Sequence, residues 1–330
     1  MKIVEMKILK SIIQFCLLTI TKILLIIPIL FNTILGQEIT SSKTPYLVIL
    51  GNVQDAGSPH MGCEKACCKE LFKTPDPSRK VVSIGIVDPN NKKYWMIEAS
   101  PDFSTQTRLL KDISNFEHSK TPDGIFLTHA HIGHYSGLMY LGKESFNSDN
   151  VPVYAMTRMK GFLIQNGPWS QLFKLENIKI NNIDHEKIFS LSNKITITPF
   201  LVPHRDEFSE TVGFKIKGPN KSILFIPDID KWGKWNKSLL TEIKKVDLAL
   251  VDGTFYDAEE VNHRDISEIP HPFIVETIEL FKSEKKELKS KIKFIHLNHT
   301  NPLLNDNSNA TKKINEQGFS VAHFKEIITL

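Results

Sequence analysis

Residues 127–138 read LTHAHIGHYSGL, and the apolar pair Ile125 and Phe126 leads into them. Three of the chain's twelve histidines, His129, His131 and His134, fall within this stretch. A short β-rich run therefore empties imidazoles into a loop. Side chains two apart in an extended segment point the same way, so His129 and His131 can grip one cation, and neutral imidazole is a common metal ligand. His134, offset by three onto the first turn of a helix-like stretch, would face a second cation beside the first. Three polar residues that merely line a turn would not need to be the same titratable ring.

Outward from the histidines, strand-like and helix-like segments interleave. Residues 46–50 (YLVIL) read as a first buried strand ended by Gly51. Residues 81–87 and 94–99 read as two more, joined at Asp88-Pro89-Asn90-Asn91, a hairpin-turn signal. Helical spacing runs over 103–116, and residues 124–127 form the strand feeding the histidine loop. Further strands are expected at 151–155, 195–202, 212–217, 222–226, 246–251 and 291–297, with a helix at 159–166 and a long amphipathic one at 273–288. Residues 51–68, GNVQDAGSPHMGCEKACC, are too rich in Gly, Pro and polar side chains for an element and read as a loop with a task. With no internal repeat and no Gly/Ser linker, residues 45–330 are expected to form one α/β domain.

At 330 residues and 41% hydrophobic content, the chain can bury a sizeable core. Its formal charge of +4 owes much to the first 36 residues, where Lys2, Lys7, Lys10 and Lys22 stand against Glu5 alone. Without them no nucleic-acid-sized basic field remains, so a small-molecule substrate is expected and nucleic acid is not. The lysine-bearing start, an apolar run to Leu35 and the Gly36-Gln37 junction have the form of a secretory signal peptide over residues 1–36. An uncleaved membrane anchor is the competing reading, because the run is long enough to span a bilayer. Either way the remainder is expected to be exported, with membrane contact only through that segment.

The histidine pattern resembles the His-x-His-x-Asp-His signature of the metallo-β-lactamase superfamily, with Gly133 at the position of the Asp. That resemblance implies an αββα sandwich with a metal site at one edge. It also implies that His204, after the strand at 195–202, completes the first ion's shell with His129 and His131, and that Asp228 bridges two ions. The second ion would have His134, His296 and Asp228, and Gly133 supplies no ligand. Zinc is the expected metal, in one or two copies, and iron(II) or manganese(II) would suit the same donors. Three protein ligands and an open position is the arrangement that activates water.

Cys63, Cys67 and Cys68 are the cysteines outside the leader. Three thiolates and one histidine make a common zinc shell, and His299 is the available histidine. By resemblance to the phosphonate-pathway phosphodiesterase, this cluster would hold a structural zinc. A Cys63–Cys67 or Cys63–Cys68 disulfide with one free thiol is the alternative in an oxidising compartment.

Residues 250–255 and 269–272 resemble loops that, in that phosphodiesterase and in the transfer-RNA 3′-processing nuclease, present a histidine to the leaving group. The resemblance makes His271 the general acid and Asp252 its partner, with His263 and Asp265 as alternatives. The longest resemblance, over residues 50–304, is to the coenzyme PQQ synthesis protein B branch of the superfamily, through Ala99-Ser100-Pro101-Asp102, Pro227-Asp228-Ile229-Asp230 and the Asn-His-Thr-Asn-Pro run after Leu297. Three functions are open on these residues. They are a metal-dependent hydrolase of an ester or phosphodiester, an oxidative enzyme or carrier in quinone cofactor synthesis, and a non-catalytic metal-binding protein.

Overall fold

Alternation along the strands sets the layers. In β1 (Tyr46–Gly51), Leu47 and Ile49 point to one side and Val48 and Leu50 to the other, and all four are fully buried. A strand buried on both faces must lie in a sheet covered on both sides. The same two-sided burial recurs in β3 (Lys93–Ile97), where Trp95 and Ile97 oppose Tyr94 and Met96. It recurs again in β10 (Ser222–Ile226), where Ile223 and Phe225 oppose Leu224 and Ile226.

A computed structural model describes residues 44–117, 120–261 and 265–330, so the expected leader and His263 lie outside the described residues. Residues 43–330 form one unit containing two seven-stranded sheets. The first sheet runs β14-β1-β2-β3-β4-β5-β6 and the second β13-β12-β11-β10-β9-β8-β7, where β2 is Ser83–Asp88, β4 Gly124–Phe126, β5 Val151–Ala155 and β6 Ile178–Asn182. In the second sheet β7 is Phe189–Ser190, β8 Thr196–Leu201, β9 Val212–Lys217, β11 Leu248–Asp252, β12 Ile292–Ile295 and β13 Ser320–Val321; β14, at the edge of the first, is Ile327–Thr329. Both sheets are mixed: β3, β4, β5 and β6 pair in parallel, as do β10, β11, β12 and β13, and the remaining pairs are antiparallel.

The inner faces meet in one apolar layer that includes Ile84, Ile86, Phe126, Phe214 and Ile295. Burying each such side chain contributes about 1.5–3 kcal/mol against leaving it in water. Helix α1 is Ala66–Lys69, and α2 (Phe103–Ser114) and α4 (Thr157–Gln165) cover the first sheet through Leu110, Met159 and Leu163. Between them in sequence, α3 (Ile132–Tyr135) carries His134. After α5 (Trp169–Lys174), α6 (Leu239–Lys244), α7 (Ile274–Leu280) and α9 (Asn309–Gln317) cover the second sheet through Ile243, Ile274 and Ile314. The result is the αββα sandwich that the superfamily resemblance implies. Among the described residues, no helix is long and apolar enough to cross a membrane.

Two local expectations change. The long helix over 273–288 is two short ones, α7 and α8 (Lys286–Lys289), because the chain turns to put Phe281 fully inside, edge-on to Phe319 with ring centroids 6.4 Å apart. The segments β6, α9 and β14 carry no strong signal of their own, and β14 is fixed by pairing with β1, Leu47 opposite Ile328.

Candidate metal centre

The chain places its polar cluster at strand ends. Asp228 lies two residues past β10, Asp252 is the last residue of β11, and His296 directly follows β12, three neighbouring parallel strands. Open sheets present ligand-binding residues at this carboxyl edge. The other sheet delivers His129, His131 and His134 after β4, and His204 follows β8. A hydrogen bond from the Val212 N–H to the Thr128 carbonyl, 3.1 Å, joins the two sheets beside the histidines. Glu98 and His296 both hold left-handed backbone, with φ of 78° and 66°. For residues other than glycine such a conformation costs about 1–3 kcal/mol and is held only where surroundings fix it.

One ligand set is His129, His131, His204 and Asp228, whose donor atoms all lie within 4.8 Å of one another. His129 Nε2 is 3.3 Å from Asp228 Oδ2, His204 Nε2 is 3.2 Å from Asp228 Oδ1, and His131 Nδ1 is 3.3 Å from His204 Nε2. The surrounding groups select the tautomers. Thr128 Oγ1 donates its single proton to Glu98 Oε1 (2.5 Å), so at 2.8 Å it accepts from His129 Nδ1, and the lone pair of His129 Nε2 faces the set. Asp230 Oδ1, 3.2 Å from His204 Nδ1, orients that ring in the same sense. Burial, the largest cause, holds His129 well below the usual imidazole range, toward the neutral form a metal needs.

The second set is His134, His296 and Asp55, with Asp228 Oδ2 at 3.9 and 4.0 Å from the two imidazole Nε2 atoms. Asp55 Oδ1 lies 2.8 Å from His134 Nε2 and 3.1 Å from His296 Nε2. The relay repeats here: Thr254 Oγ1 donates to Asp252 Oδ1 (2.7 Å) and accepts from His296 Nδ1 at 2.8 Å, leaving His296 Nε2 turned toward Asp55. Asp55 and Glu98 are functional candidates that the sequence reading missed. Asp55 sits in a Gly-rich loop with no neighbouring ligand, and Glu98 is an acid at the end of an apolar strand. A carboxylate within an otherwise apolar strand end is the one signal that could have found Glu98.

His271 Nδ1 is 2.9 Å from Asp252 Oδ2 and 3.2 Å from Asp228 Oδ1. Burial opposes charge on this ring, but the two carboxylates outweigh it and hold His271 well above the ordinary imidazole range. The alternative Asp265 accepts from the Ser267 N–H and is not among the clustered donors.

Buried His129 Nε2, both ring nitrogens of His134 and Asp228 Oδ1 make no aligned hydrogen bond, although a carboxylate or imidazole atom lies within 3.3 Å of each. Acceptor-rich atoms that converge without donor-to-acceptor alignment are what shared coordination requires. Ligand bonds of about 2.0–2.1 Å place neighbouring donors roughly 2.9–3.4 Å apart. The residues fit a divalent metal.

Cys63, Cys67 and Cys68 are all free thiols, with sulfur separations of 3.7 Å between Cys63 and Cys67 and 3.9 Å between Cys67 and Cys68. Zinc–sulfur bonds of about 2.3 Å set tetrahedral edges near 3.8 Å, so the thiols too fit an ion. Burial and its sulfur neighbours push the Cys67 thiol up to about 12. His299 does not join them: its Nδ1 is 3.0 Å from Asn298 Oδ1 and its ring stacks on His60 at 4.5 Å, and the clustered donors are the three sulfurs alone. His60 is the histidine tied to the cluster, through its backbone N–H donated to Cys68 Sγ at 3.3 Å.

Comparison with known proteins agrees with this fold. Coenzyme PQQ synthesis protein B of Klebsiella pneumoniae (strain 342) is 23% identical over 308 residues, covering 86% of this chain and 98% of the relative. The structure of Zn(2+)-bound PqqB from Methylobacterium extorquens superposes with a TM-score of 0.70 at 22% identity, over 86% of this chain and 100% of the other. A diphosphatase of the PhnP family superposes with a TM-score of 0.58 at 20% identity, over 87% and 98%. Residues 94–311 match the family description "Beta-lactamase superfamily domain". The chain belongs to the beta-lactamase superfamily.

Proposed function

We propose that this protein is a metal-dependent hydrolase acting on an ester, and most readily on a phosphodiester, with zinc as its ion. The observation that carries the reading is the pair of carboxylate–hydroxyl–imidazole relays. They turn His129 Nε2 and His296 Nε2 inward on either side of Asp228, with the His271–Asp252 pair against the same carboxylate. A divalent cation in such a site supplies Lewis acidity that makes water nucleophilic near neutral pH. Asp252 accepts from His271 Nδ1 and so leaves the Nε2 proton of the imidazolium to be given to a departing alkoxide. Asp252 and Asp228 outweigh burial and raise that ring's hold on its proton. Zinc at Cys63, Cys67 and Cys68 has a structural role in this reading, holding the 51–68 loop.

The similarity to coenzyme PQQ synthesis protein B over 86% of this chain favours a second reading, an oxidative enzyme or carrier in quinone cofactor synthesis that uses iron(II) at the same histidines. Elemental analysis of protein purified without added metal, followed by assay on phosphodiesters, separates the two. Zinc with turnover supports the hydrolase, and iron without hydrolysis overturns it. His271→Ala is expected to slow an ester with an alkoxide leaving group about 10²–10⁴-fold. It should slow bis(p-nitrophenyl) phosphate much less, because that leaving group needs no proton. Parental rates on both would refute the acid assignment.

A further inference from the structure

Gly133 stands where the superfamily signature has a carboxylate, and the space beside it is filled by another. A Cβ built on Gly133 would lie 2.6 Å from Asp55 Cα, 2.6 Å from Asp55 Oδ1 and 2.7 Å from Asp55 Cβ. One of these three atoms is backbone, so no side chain at 133 coexists with Asp55 in this position. The loop that brings Asp55 here is anchored to the strand that carries His296. Val53 bridges both Val81 and Leu297, Leu297 N–H donates to the Asn52 carbonyl at 2.7 Å, and Gln54 N–H donates to the Leu297 carbonyl at 2.9 Å. The same Asp55 oxygen that occupies the cleft at Gly133 lies within 3.1 Å of both His134 Nε2 and His296 Nε2. His134 is fully buried and its Nε2 makes no aligned hydrogen bond.

We infer that Asp55 is the ligand that completes the second ion's shell with His134, His296 and Asp228, and that Gly133 is glycine because Asp55 supplies its carboxylate from the other side. The ligand has moved from the helix that carries His134 to a loop 78 positions earlier in the chain, while the donor type is kept. Two consequences follow. Any Cβ at 133 should be harmful, because Asp55 Cα would lie 2.6 Å from it. The charge of Asp55, not its shape, should hold the ion.

The inference rests on the reading of the cluster as a metal centre. The test therefore counts ions by calorimetric titration of the chelator-stripped full chain with cobalt(II), thiolate-bound cobalt being identified by its charge-transfer absorption. The parent is expected to take two ions without thiolate signature. Asp55→Asn, nearly isosteric, and Asp55→Ala are each expected to lose one of these or to weaken it at least about 100-fold, since outer-shell partners alone cost 10–100-fold. Gly133→Ala, which adds only a Cβ against Asp55 Cα at 2.6 Å, should also weaken the second ion and leave the first unchanged. Parental stoichiometry and affinity in a folded Asp55→Asn protein, shown folded by an unchanged circular dichroism spectrum, would overturn the inference and leave the metal centre standing. No cobalt at the histidines of the parent would overturn both.

Discussion

The two ligand sets around Asp228 are built from different materials. His129, His131 and His204 come from one local motif and one strand end, with Asp230 behind His204. His134, His296 and Asp55 come from a helix turn, a strand end and a loop, with Thr254 and Asp252 behind His296. Glu98 serves both, taking the Thr128 hydroxyl that orients His129 and lying 3.1 Å from His134 Nδ1. The difference teaches that the first set takes two donors from one local motif and the others from strand ends, whereas the second depends on the docking of residues 51–68 against β12. A fold can keep such a centre while exchanging which segment supplies a donor, provided that one side chain vacates the space the other takes.

The largest effect is expected where the sets meet. Asp228→Ala should remove ions from both and lower phosphodiester turnover by roughly 10³-fold or more, measured by elemental analysis and rate on the same sample. A loss confined to one set would show that Asp228 is not shared. Next, Phe225→Ala opens the interlayer core and should cost about 3–5 kcal/mol in denaturant unfolding. Both sets should keep their ions in the molecules that remain folded, because Phe225 belongs to the interlayer core and supplies no donor to either. A smaller, selective pair of changes sharpens the contrast. Asp230→Asn should weaken only the ion at His204, and Thr254→Val only the ion at His296, each about 10–100-fold in titration. Equal loss in both sets from either variant would dissolve the distinction.

The smallest effect concerns Glu260, which accepts from Thr300 Oγ1 at 2.6 Å and from the Tyr256 N–H, tying the loop after Asp252 to the chain after His296. Burial pushes its carboxyl up to about 7. A raised carboxyl favours the protonated folded form, so this stabilisation is present below the ordinary carboxyl range and is lost as pH rises through about 7. Glu260→Gln is expected to remove that slope, worth about 1–2 kcal/mol after allowance for its partial contact with water. Unfolding curves between pH 4 and 8 that keep the parental slope would contradict this.

Much of this contrast was legible in the sequence on one side only. The first set could be read because its donors announce themselves: His129 and His131 alternate in an extended run, and His204 and Asp228 each close an apolar strand. His134 stands out by its offset from the same motif, whereas His296 and the pair His271 and Asp252 are suggested by resemblance to known loops. Asp55 was not, since a single acid in a Gly-rich loop has no periodicity to mark it, and its partner signal, the glycine at 133, reads as a loss unless the space beside it is known. His299 follows the final histidine closely enough to suggest a zinc shell, but its ring turns to stack on His60, a tertiary contact that spacing does not reveal. The strands Ile178–Asn182 and Ile327–Thr329 were missed because sheet pairing, not local pattern, makes them.

The most direct measurement is anomalous diffraction at the zinc edge from crystals of the full chain grown with zinc. Two peaks about 3.5–4 Å apart are expected, one among His129, His131 and His204 and the other among Asp55, His134 and His296, with Asp228 between them. No peak among these residues, in crystals that bind zinc at the thiols, would contradict the account.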